Sequence, residues 1–262
     1  MSKADLTHFD EYRLQTQLKH SILQSYLGAY LAVLGTKHKT IVYIDAFAGR
    51  GFYNDSKGTR HDGSPIRALA IVASDKKFHD RVQCIFIERR PDHFGDLEAR
   101  VNEFLKGTSL PKSPILQNAA FGEVMDGLSG FFNNPSTRLA PTFLFIDPCG
   151  VEGVRLRDIV EILARDGCEV FVFFNYDGVN RIVGLAEAKG ESDTLRDLFG
   201  SQARVDRLIR ALDSRSKPDL LPVNRSSRYE RLPGRKAQKE SLDERSRKAE
   251  AAQPRADHRQ AA

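Results

Sequence analysis

The chain has 262 residues but no tryptophan, two methionines and three cysteines, and each scarcity narrows what it can be. Cys84, Cys149 and Cys168 are odd in number and far apart. A disulfide framework or a zinc site needs closer pairs, so buried, reduced thiols are the expectation. The seven histidines form no ligand-spaced cluster, and no metal is implied. No apolar run reaches the roughly 20 residues that span a bilayer, and no charged-then-apolar leader opens the chain. The composition therefore predicts a soluble, cytoplasmic protein with no membrane partner. A phosphate loop of the GxxxxGK[ST] kind is also missing.

What the chain has in excess is basic charge, with a pI near 9.1, but that excess is local. Residues 214–262 carry 13 Lys and Arg against 7 Asp and Glu, leaving 27 against 28 in the body. Nucleic acid stays open as a partner, but the charge of the body gives it no support. The same segment has few aromatics and no apolar periodicity, so it is read as a disordered tail. Residues 1–213 are read as one α/β domain, a size that a hydrophobic fraction of 40% can fill with a core.

Five apolar runs alternate with helical segments through that body. The runs are residues 41–47, 82–88, 114–118, 142–147 and 168–175. Helices are predicted at 17–31, 64–77, 92–105, 122–131 and 155–165, with further helix over 178–213. Alternation of this kind predicts a doubly wound, Rossmann-like, mostly parallel sheet with ligands at the carboxyl ends of its strands. In the first helix Leu18, Ile22, Tyr26 and Tyr30 fall on one face, with Leu23, Leu27 and Leu31 beside them. It is expected to pack on the sheet edge or to cover the ligand end of the first strand.

Three strands run into acids. Ile41-Val42-Tyr43-Ile44 leads to Asp45 and then to Ala46-Phe47-Ala48-Gly49-Arg50-Gly51. Glycines at alternate positions allow positive φ and close approach of a nucleotide-like group. Cys84-Ile85-Phe86-Ile87 leads to Glu88, whose carboxylate can accept both hydroxyl protons of a ribose, or can simply be a solvated acid at a strand end. Asp45 and Glu88 lie further apart than the roughly 20 residues of a compact dinucleotide site, which places an insertion at residues 52–63. Phe143-Leu144-Phe145-Ile146 leads to Asp147-Pro148-Cys149-Gly150. Here Asp147 can orient a nucleophile or take its proton, with Pro148 stiffening the loop, or the acid can serve a tight turn. Asn118 can meet an adenine edge or cap the next helix. Asn175 can border a substrate pocket or cap the helix that follows it.

These residues also match a family. Lys19-His20-x-Ile22-Leu23-x-x-Tyr26-Leu27, Tyr43-Ile44-Asp45-x-Phe47-Ala48-Gly49-x-Gly51, Gly63-Ser64-Pro65-x-x-Ala68-Leu69, Phe86-Ile87-Glu88, Phe145-Ile146-Asp147-Pro148-x-Gly150 and Asn180-Arg181, in that order over about residues 15–200, resemble the three-Cys-motif partner proteins (TcmP). The glycine loop resembles motif I of class I S-adenosylmethionine-dependent methyltransferases, Asp-x-Phe-x-Gly-x-Gly. Members of the partner family are methyltransferase-like and are encoded beside a three-cysteine protein that resembles radical S-adenosylmethionine enzymes. The resemblance implies S-adenosyl-L-methionine as cofactor, with Asp45, Ala46, Gly49 and Gly51 along its methionine and ribose, Glu88 on the ribose hydroxyls, and Asp147 and Pro148 at the transfer site. Phe47 and Asn118 join the cofactor-binding candidates and Asn175 the catalytic ones. The resemblance also implies the neighbouring three-Cys-motif protein as partner.

Two departures stand out. Cys149 occupies a position where amino-group methyltransferases often carry an aromatic that stacks a flipped base. Residues 214–262 contain no counterpart of the antiparallel strands that complete such sheets, so the chain reads as truncated or frame-shifted there. The fifth strand is then left near a sheet edge that a partner would have to cover. A non-catalytic partner protein keeping the same fold is the rival reading. A metal-dependent nuclease or nucleotide hydrolase is the third.

Overall fold

In the computed structural model, residues 14–77, 79–134, 137–189 and 193–213 are described. In chain order, α1 (Leu14–Leu34) and β1 (Ile41–Asp45) come first, followed by a hairpin of β2 (Phe52–Asn54) and β3 (Arg60–Asp62) and then α2 (Ser64–Ser74). Next are β4 (Val82–Ile87), α3 (Pro91–Gly107), β5 (Ile115–Gln117), α4 (Phe121–Gly127), α5 (Ser129–Phe132) and β6 (Thr142–Ile146). The last are α6 (Leu156–Leu163), β7 (Glu169–Val172), α7 (Tyr176–Lys189), α8 (Asp193–Phe199) and α9 (Gln202–Asp213). The residues up to Ile209 belong to one unit, to which the site belongs. The tail of residues 214–262 lies outside the described residues.

Five strands make one sheet in the order β5-β4-β1-β6-β7, and each neighbouring pair is parallel. This is the Rossmann-like α/β arrangement expected from the alternation. β6 is buried at all five positions, as a strand covered on both faces must be. On one face Leu23, Leu27 and Leu31 of α1 and Ile66 and Leu69 of α2 pack on Tyr43, Phe86 and Phe143. On the other, Phe121, Met125, Phe132 and Ile162 pack on Ile87, Leu144 and Ile146. From β1 the chain builds outward through β4 to β5, then returns to build β6 and β7 on the opposite side. The switch point therefore falls between β1 and β6, and it is at the carboxyl ends of such strands that sheets of this kind place their ligand crevice.

The insertion at residues 52–63 is the β2–β3 hairpin. Its tip ties itself together: the Asp55 carboxylate accepts the N–H groups of Lys57 and Thr59 at 2.9 and 2.8 Å. Leu128 separates α4 from α5, where one helix was expected. No strand among the described residues pairs with the outer side of β7, and Val172 and Phe174 are exposed there.

α1 shows which of its two apolar stripes packs inward, a choice the sequence leaves open. Leu23, Leu27, Tyr30 and Leu31 are the buried face, while Leu18, Ile22 and Tyr26 are 55, 48 and 47% exposed. Both stripes are apolar at helical spacing, so periodicity alone cannot choose between them. The aromatic side of the sheet does. Tyr30 sets its ring 5.3 Å from Phe143 and donates its hydroxyl to the Gly167 carbonyl at 2.8 Å. Tyr26 lies flat along the rim, stacked on Phe171 with its hydroxyl donated to Glu169 at 2.5 Å. A shallow concavity of about 430 Å³ lies over the exposed stripe. The thiols depart from the expectation at Cys149, which is exposed; Cys84 is buried and Cys168 partly buried, and none of the three is in a disulfide.

Candidate functional site

The glycine loop leaves β1 in two left-handed steps, Gly49 at φ 62° and Gly51 at φ 74°. At Gly49 an added Cβ would meet nothing within 4 Å, so the backbone there faces open space. At Gly51 it would come within 3.2 Å of Leu97 in α3. The loop is zipped to the end of β4 by its own amides. Ala48 N–H donates to the Ile87 carbonyl at 2.9 Å, and Gly49 N–H donates to Glu88 Oε2 at 2.9 Å. The other oxygen, Glu88 Oε1, accepts the Arg90 N–H at 2.7 Å. Glu88 is thus the clasp of the loop as well as an acid at a strand end. The hairpin braces the same loop from behind, with Gly63 N–H donating to the Gly51 carbonyl at 2.9 Å.

Asp45 ends β1 fully buried. Its Oδ1 accepts the Phe47 N–H at 3.2 Å, and its Oδ2 has no hydrogen-bond partner. Burial pushes this carboxyl up to about 7; the charges of Asp147 and Glu88 add to the push, while Ser64 and the Phe47 amide oppose it. Asp147 and Glu88 therefore act on Asp45 across one end of the sheet.

Asp147 is not left open at the crevice. Lys19, reaching down from α1, donates to Asp147 Oδ1 at 2.5 Å, with 24% and 14% of the two side chains exposed. Burial raises the Asp147 carboxyl although the lysine holds it down. The ammonium also lies 5.0 Å from the centre of the Phe173 ring. Beside it His20 is buried and pulled down to about 3 by burial, with Arg67 and Lys19 adding to the effect, so it is neutral at physiological pH. The His20 ring sits 5.5 Å from Tyr53 of the hairpin. α1 is further joined to α2 through Arg67, which donates to Gln24 Oε1 at 3.1 Å and to the Asp62 carbonyl at 2.8 Å.

The structure brings Asp45, Gly49, Gly51, Glu88 and Asp147 together, and it reassigns several other residues. Ala46 faces the core with Ile87 and Leu144, donating its N–H to Phe145 as a continuation of the strand ladder. Phe47 is half-buried, its ring 6.4 Å from Phe121. Asn118 does not cap the helix that follows, whose N-cap is Ala120. Its amide nitrogen donates to the carbonyls of Glu88 and Arg89 at 2.8 and 3.2 Å, holding the turn after β4. Asn175 is a helix cap, its Oδ1 accepting the Gly178 N–H at 2.9 Å. Pro148 is half-buried in the turn after Asp147. Lys19 and His20 are the residues that site reasoning missed, although both belong to the motif quoted for α1. The usable signal was a lysine and a histidine in the middle of a helix that otherwise packs by apolar contacts. Among the described residues no group of three or more His, Cys, Asp or Glu is arranged to hold a metal ion, and no helix is long and apolar enough to cross a membrane.

No known family's sequence profile matches the chain, and no curated protein matches it in sequence. Among solved structures, a Legionella pneumophila protein assigned to DUF519 is similar at a TM-score of 0.39 and 17% identity, over 68% of this chain and 73% of that one.

Proposed function

We propose that this chain binds S-adenosyl-L-methionine at the glycine loop and works as a methyltransferase-like protein alongside a three-Cys-motif partner. The observation that carries the reading is the clasp between the carboxyl ends of β1 and β4, where left-handed Gly49, open to space, donates its N–H to Glu88 at 2.9 Å. The residues present fit such a group. Each Glu88 oxygen takes one backbone N–H and keeps a lone pair for a ribose hydroxyl. Gly49 and Gly51 let backbone approach the ligand closely. Asp45 Oδ2 is a buried oxygen without a donor, and Asp45 holds the loop through the Phe47 amide. When bound, this cofactor supplies an electrophilic methyl group. Its sulfonium charge suits a place where Asp147 and Glu88 already crowd Asp45 with negative charge.

Calorimetry with S-adenosylmethionine and S-adenosylhomocysteine tests the reading. One-to-one binding by the wild type, with loss in Gly49→Arg, is the expected result. Folded wild-type protein that gives no heat with either compound would overturn it. The Lys19–Asp147 ion pair favours a second reading, in which the fold is kept as a non-catalytic partner, because it occupies the acid on the acceptor side. Co-purification with the three-Cys-motif protein, combined with no methyl transfer by the complex, is what that reading expects.

A further inference from the structure

Lys19 marks a binding slot. Its ammonium lies between the Asp147 carboxylate at 2.5 Å and the Phe173 ring at 5.0 Å from the centroid. The ring is a fixed wall, packed against Phe171 at 4.9 Å and edge-on to Phe145 at 6.0 Å. A carboxylate at one end and an aromatic face alongside is how proteins recognise an ammonium group. The carboxylate takes charge and hydrogen bonds, and the ring's negative face attracts the cation without needing a donor. The contact is not sealed, since 24% of the lysine side chain faces solvent and its flexible four-carbon stem allows it to swing away.

We propose that Asp147 and Phe173 form a recognition slot for a primary alkylammonium group, that Lys19 fills the slot from within the chain, and that an incoming amine displaces it. This deepens the methyltransferase-like reading by naming the acceptor class as an amine, and it rests on that reading for the use of the slot but not for the binding. A tethered side chain competes like a free amine at roughly millimolar concentration, so wild-type protein binds free amines weakly and removal of Lys19 strengthens binding.

The test uses the full chain with lysine labelled at Cε, and no S-adenosylmethionine is present. A failed calorimetric titration with that cofactor and a failure here are thus separate results. The Lys19 signal is assigned by its absence in Lys19→Arg. It is then followed during titration with spermidine and with N-acetyl-lysine methylamide, the free-polyamine and peptide-lysine forms of one chemistry. The signal is expected to move toward that of solvent-exposed lysines with at least one of them, and the amine that moves it names the source. Lys19→Ala is expected to bind that amine about tenfold more tightly than wild type, with the gain lost in Lys19→Ala/Asp147→Asn. A Lys19 signal unmoved by both amines, or binding that survives Asp147→Asn, overturns the proposal. The wild-type titration decides alone if Lys19→Ala does not fold.

Discussion

At the scale of single residues, Asp45 is the most costly group in the site. Its carboxyl titrates near 7 in the folded chain against about 3.8 when unfolded, because burial disfavours the charge. The native state therefore holds a proton that the unfolded state has lost. The associated stability is fully present below pH 3.8 and is lost as pH rises through 7. Asp45→Asn keeps an oxygen for the Phe47 amide and never ionises. It should exceed wild type in stability by on the order of 1–4 kcal/mol at pH 8, with the gap shrinking toward pH 4. Urea unfolding at the two pH values checks this, and a gap that does not change with pH would refute it. The two loop glycines should separate in a similar way. Gly49→Ala meets no atom and carries only left-handed strain, about 1–2 kcal/mol, whereas Gly51→Ala adds a contact with Leu97 at 3.2 Å. Gly51→Ala should be the less stable of the two in denaturant titrations, and Gly49→Ala the one that reports on ligand.

At the scale of elements, the hairpin and the glycine loop behave as one piece. A Cβ on Gly63 would come within 2.8 Å of the Gly51 carbonyl carbon, although the Gly63 backbone itself, at φ −78°, suits any residue. Gly63→Ala should cost about 1–3 kcal/mol through crowding and weaken ligand binding at the glycine loop of Gly49 and Gly51. Unchanged stability in chemical denaturation would show that the brace is slack. Much of this level was legible in the chain. Apolar runs ending in Asp45, Glu88 and Asp147 announced both the strands and their shared edge, and the Asp45–Glu88 interval announced the insertion at residues 52–63, though not that it folds as a hairpin. What could not be read was which apolar stripe of α1 faces inward. Two stripes compete at the same spacing, and only the aromatic surface of the sheet selects Leu23, Leu27 and Tyr30. The roles of Asn118 and Asn175 were hidden for a related reason. Short polar side chains that hold backbone look the same in sequence as those that hold ligand.

At the scale of the molecule, the strand order sets a gradient of stability. β1, β4 and β6 are paired on both sides and lie under helices, while among the described residues β5 and β7 are paired on one side only. Amide hydrogen exchange should be slowest at Tyr43, Phe86 and Phe145, and should quicken by orders of magnitude toward Val172 and Gln117, as expected for edges that open without global unfolding. Uniform protection across all five strands would mean that something covers the edges. The buried acid at the centre of this gradient also makes the site a proton store. Around neutral pH part of the population carries a proton on Asp45, because burial pushes its carboxyl up to about 7. Any cation that settles beside it will expel part of that proton into solution. The heat of binding will then differ between Tris and phosphate by the enthalpy of the buffer that takes the proton up, and the fraction released measures how close the bound charge lies to Asp45.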